Sequence, residues 1–178
     1  MRALGLSLGL FLALPAFAQD APTCAADLVA PPESFSVAWI SPVGQTVRAG
    51  KALPVVPTKA LRGWVRRDQP SLARFLQRVG VRRSAKPPRR AYKVVVFDVD
   101  APRTLCRPVS AMEEGGEVAG LPVCEERLSK PRNGEDGCGH TLDRATGQPG
   151  LPMYRATWRD LVRNGFCVLP AEHFLEAP

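Results

Sequence analysis

Residues 92–99 constrain the fold more than any other segment, because Val94-Val95-Val96-Phe97 forms an unbroken apolar run inside a strand-like octet. A strand with one solvated face alternates apolar and polar residues, so a continuous run implies burial on both faces. Tyr92–Val99 is therefore predicted to be a central strand. Two helical patterns precede it. Leu61, Trp64 and Val65 recur at helical spacing after Thr58, which suits an N-cap, and predict a helix to about Arg67. Leu72, Phe75, Leu76 and Val79 form one apolar face of a second helix, with Pro70 in its first turn and Gly80 as its stop.

Weaker strands are expected at Phe35–Ile40 and Leu53–Val56, paired as a hairpin, and at Phe166–Leu169 after a short helix at Thr157–Arg163. Between them, 103–152 is rich in Gly, Pro and charge, and an irregular stretch of that length is uncommon unless functional or stapled. The expectation is a small single α+β domain over 35–178. It has a short mixed or antiparallel sheet, two consecutive amphipathic helices and a disulfide-stapled irregular C-terminal half.

The first 18 residues read as a signal peptide. Met1-Arg2 is followed by an apolar stretch, and Ala16-Phe17-Ala18 is an A-x-A cleavage pattern. Residues 19–34, interrupted by Pro22, Pro31 and Pro32, read as a flexible tail. The apolar stretch is too short for a comfortable span of about 20 residues, so no membrane span is expected in the mature chain. The expected location is periplasmic or secreted.

Export makes disulfides the default for the five cysteines, Cys24, Cys106, Cys124, Cys138 and Cys167. Bridges Cys106–Cys124 and Cys138–Cys167 would each close a short loop, leaving Cys24 over. No two cysteines are separated by two residues, which argues against a redox motif, a haem attachment motif or a zinc ribbon. No cofactor or metal is expected.

Charge is unevenly distributed within a formal total of +7. Residues 48–93 hold 14 Lys or Arg and a single acid, Asp68, whereas 98–146 hold ten acids and six bases. A basic stretch of that density attracts polyanions, with nucleic acid, acidic glycan and anionic envelope surfaces all eligible. The candidate charge surface is Arg62, Arg66, Arg67, Arg74, Arg78, Arg82, Arg83, Arg89 and Arg90. The preferred reading is an exported binding protein for a polyanion or a protein partner. A rival uses the acidic segment 113–136 as a structural or partner contact.

Catalysis has one candidate motif. Val95-Val96-Phe97-Asp98-Val99-Asp100, with Thr104-Leu105 beyond it, resembles the first motif of haloacid-dehalogenase-type phosphatases. The resemblance implies metal-dependent phosphate-ester hydrolysis, with Asp98 attacking phosphorus, Asp100 handling the leaving-group proton and magnesium neutralising the site. It covers about ten residues. The family's Gly-Thr pair is replaced by Ala101-Pro102-Arg103, and the residues after Leu105 offer one strand where that fold needs several. The two carboxylates are expected instead to pair with arginines or cap a turn. A Cys/His pair of Cys167 with His140 or His173 would need a free thiolate, which export disfavours, no Gly-x-Ser-x-Gly elbow marks a Ser/His/Asp site, and His140, Cys138, Asp136 and Asp143 lack a recognised zinc-ligand spacing.

Overall fold

The computed structural model describes residues 35–108, 121–125, 133–136 and 139–176. The expected signal peptide, the tail and most of the acidic segment lie outside them. Five strands form one sheet: β1 (Phe35–Pro42), β2 (Ala52–Pro57), β3 (Tyr92–Val99), β6 (Tyr154–Thr157) and β7 (Phe166–Pro170). Their order is β6-β2-β1-β3-β7. Every pairing is antiparallel, and β3 is hydrogen-bonded on both sides, to β1 through Ala38↔Val96 and to β7 through Val96↔Cys167.

The apolar run of β3 is divided by the strand's two-residue period. Val94 and Val96 face one layer with Ala38, Ile40 and Val56, covered by α1 (Thr58–Asp68), α2 (Leu72–Arg78) and α5 (Ala171–Glu176). Val95, Phe97 and Val99 face the other with Val37, Trp39, Leu53 and Val55. That layer is closed by α3 (Ala101–Thr104), Leu105, Leu121 and α4 (Trp158–Leu161), which continues as a 3-10 turn over Val162–Asn164. Aromatic edges fill it, with Trp158 meeting Phe97 at 5.6 Å and Trp39 at 6.0 Å between ring centroids.

The expected apolar faces of the helices are the ones buried: Leu61, Trp64 and Val65 on α1, Phe75, Leu76 and Val79 at α2. Their starts differ from expectation. Pro57 occupies the N-cap of α1 and Thr58 is its first residue, because Pro57 still belongs to β2 and leaves no room for a separate cap. Ser71 caps α2, its hydroxyl accepting the Arg74 N–H at 3.3 Å, so Pro70 precedes the helix. Gly80 ends that segment as expected, at φ +74°.

A second, two-stranded sheet, β4 (His140–Leu142) with β5 (Pro149–Pro152), lies within the stretch read as irregular. Its strands are too short to show a period. Cys106–Cys124 closes as expected, and residue 106 bridges to Arg155 on the outer edge of β6 while Arg107 bridges to Val123. The bridge thus fastens 121–125 to the edge of the main sheet. Cys167 is also disulfide-bonded. Cys138, the partner expected for it, lies outside the described residues. Closing a loop of about 15 residues contributes roughly 3 kcal/mol in the chain-entropy model. Cys106→Ser/Cys124→Ser is accordingly expected to lose about 3 kcal/mol in urea unfolding, and an unchanged midpoint would contradict that role.

Candidate polyanion-binding surface

The nine arginines of the candidate surface divide into three groups. Arg74 and Arg78, one helical turn apart on α2, both turn onto Asp143. Arg74 Nη1 and Nη2 donate to the two carboxylate oxygens at 2.6 and 2.7 Å, and Arg78 Nη1 donates to Oδ2 at 3.0 Å. The Asp143 carboxyl is fully buried, against 35% exposure for the Arg74 side chain and 25% for Arg78. The Arg74 hydrogen bonds, then those of Arg78 and of the Ala145 N–H, outweigh burial and hold the Asp143 carboxyl far below the usual carboxylate range. The same bond from Asp143 raises the Arg74 guanidinium. Arg78 also packs 6.0 Å from the Trp64 ring centroid. The expected outward charge of Arg74 and Arg78 is therefore corrected: both guanidinium groups turn onto one acid of the β4–β5 turn, which offsets one of their two charges, because a fully buried carboxylate needs charged partners.

A second group is held but not neutralised in this way. Arg62 lies 5.5 Å from the Phe174 ring centroid, and burial first, then the neighbouring charge of Arg66, lowers its pKa. Arg67 pairs with Asp68 at 3.0 Å, in solvent, where such a pair contributes little. Arg82 is half-buried. Arg66 is exposed on α1, beside a cleft of about 570 Å³ between the α1–α2 turn and α5 that Glu172 and Glu176 also line.

The third group is Arg83, Arg89 and Arg90, exposed on the connector between α2 and β3. Lys86, which the sequence reading left out, is exposed among them, and 81–93 contains no acid. The connector has no regular secondary structure, as Pro87-Pro88 implied. Arg144 joins its edge, its Nε donating to the Gly80 carbonyl at 3.4 Å, and burial, then the charge of Arg83, lowers its pKa. Exposed cations on an acid-free segment can bind multivalent anions.

Several residues of the rival sites make structural contacts. Asp100 lies 3.5 Å from Arg103, as a strand-end carboxylate pairing with an arginine would. Asp98 sits half-buried on β3, and no group of three or more metal-ligating side chains occurs among the described residues. Of the acidic segment, Glu135 pairs with the fully buried Arg155, and Asp136 accepts both the His140 N–H at 3.0 Å and a contact with its ring Nδ1 at 3.2 Å. Those two acids face inward rather than forming an acidic contact surface. Cys167 is held in a disulfide, and His173 is exposed on α5. No helix among the described residues is long and apolar enough to cross a membrane. The chain matches no protein-family model, no curated protein and no solved structure.

Proposed function

We propose that this protein is an exported binding protein, periplasmic or secreted, whose basic surface engages a polyanion. The observation that carries this reading is the connector: Arg83, Lys86, Arg89 and Arg90 are exposed on an acid-free segment, and none of the four belongs to either apolar layer. Exposed cations on an acid-free segment keep their attraction for external anions, whereas Arg74 and Arg78 share the Asp143 carboxylate. The A-x-A pattern at Ala16–Ala18 and the Cys106–Cys124 bridge support export.

Replacing Arg83, Lys86, Arg89 and Arg90 together by Ser is expected to move elution from a heparin matrix to markedly lower salt, with the unfolding midpoint unchanged. Arg67→Ser, which removes an exposed arginine already paired with Asp68, is expected to elute near the wild type. Coincident elution of all three proteins, or no retention of the wild type, would contradict the proposal.

A further inference from the structure

The sheet brings more charge to the connector than the sequence order suggests. Pro42, the last residue of β1, lies opposite Tyr92, the first of β3. Ala52 opens β2 opposite Thr157, where β6 ends and α4 begins. One end of the sheet therefore gathers loop 43–51, the last residues of the connector and the first turn of α4. Backbone hydrogen bonds join them: Val43 N–H to Ala91 C=O at 2.9 Å, Trp158 N–H to Lys51 C=O at 3.1 Å, and Arg159 N–H to Ala49 C=O at 3.0 Å.

Along this rim Arg48, Lys51, Arg89, Arg90 and Arg159 are exposed and Lys93 is half-buried. Loop 43–51, like 81–93, contains no acid. Of the acids near this end of the sheet, Asp160 accepts the Thr157 hydroxyl at 2.5 Å and lies 3.8 Å from Arg163, and Glu172 lines the cleft beside α1.

Strands are spaced about 4.8 Å apart, so the rim from β6 to β3 spans about 14 Å. A linear polymer with one charge about every 3.4 Å would lay about four charges along it. None of the described aromatic side chains is exposed. The rim thus lacks an exposed platform for stacking bases and the exposed aromatic anchors common at bilayer interfaces, and offers charge with Val43 as its exposed large apolar side chain.

We propose that Arg48, Lys51, Arg89, Arg90, Lys93 and Arg159 form one composite site for a linear sulfated or carboxylated glycan. The proposal rests on the polyanion reading above and extends it to loop 43–51 and α4.

The test uses the full exported chain with three probes: heparin, oligo-dT DNA, and phosphatidylglycerol-containing vesicles. Two variants are compared with it, R89S/R90S on the connector and R48S/K51S/R159S on the rest of the rim. With a salt coefficient of about 0.7 per cation, each contact is worth about fivefold at 0.1 M salt. The double variant is expected to lose about 25-fold in heparin affinity and the triple about 100-fold, with unfolding midpoints unchanged and heparin bound tightest by the wild type. Wild-type affinity in the triple variant, with loss in the double, would overturn the composite rim and leave the connector reading standing. Tighter binding of DNA or of vesicles would overturn the glycan assignment. No binding of any probe by the wild type would overturn both readings.

Discussion

Asp143→Ala is expected to destabilise the fold by about 4 kcal/mol, measured by urea unfolding near neutral pH. Breaking a buried ion pair by removing one partner costs about 3–5 kcal/mol, because the remaining charge stays desolvated. Here two guanidinium groups lose one fully buried carboxylate, which favours a large effect, and their own partial exposure limits it. The loss is considerable against the 5–15 kcal/mol typical of a whole domain. Acid makes the effect more specific. The Arg74 and Arg78 hydrogen bonds lower the folded carboxyl's pKa below its unfolded value. Its contribution is thus fully present above the ordinary carboxylate range near about 4 and is lost as pH falls through the lower folded value. The gap between wild type and variant should therefore narrow as pH drops below about 4. A constant gap down to strong acid, or none at neutral pH, would show that the clamp does not hold β4–β5 to α2.

Gly80→Ala is expected to cost a comparable amount, about 4 kcal/mol, for a different reason. Gly80 has φ +74°, where a side chain is strained, and an added Cβ would lie 2.1 Å from the Gly134 carbonyl oxygen. Strain of about 1–3 kcal/mol adds to an overpacking cost of similar size, and a backbone oxygen cannot turn aside as a flexible side chain would. Gly134, at φ +110°, meets the Gly80 carbonyl oxygen at 2.6 Å in the same way, so each glycine makes room for the other. Gly63→Ala is the control. It lies inside α1 with nothing within 4 Å, and should stabilise the fold by about 0.5–1 kcal/mol. Equal effects at Gly80 and Gly63 would mean that the close approach at Gly80 carries no energetic weight.

Both predictions concern a region the sequence misplaced. The main sheet was legible where residues carried a period: Val94–Phe97 as an interior strand, the hairpin of β1 and β2, and the apolar faces of α1 and α2. The β4–β5 pair was not, because strands of three and four residues hold too few positions for alternation, and its turn reads as loop. With that turn unseen, Asp143 had no visible partner. Arg74 and Arg78 then seemed to lie on the solvent face, since helical spacing tells which side faces the core but not what else lies on the other side. Asp143-Arg144-Ala145-Thr146-Gly147, flanked by Leu142 and Leu151, was the available signal for a hairpin turn. Of the proposed charge surface, Arg83, Arg89 and Arg90 were the candidates that composition and proline content offered. Arg48, Lys51 and Arg159 were not, because only strand pairing brings loop 43–51 and α4 beside the connector.

The most direct test of the central claim is the heparin affinity of the unaltered, full chain, measured across a salt series at neutral pH. With about four charges engaged at about 0.7 each, the logarithm of affinity should fall against the logarithm of salt with a slope near −3. Binding that is absent at low salt, or that does not change with salt, would contradict a polyanion-binding surface.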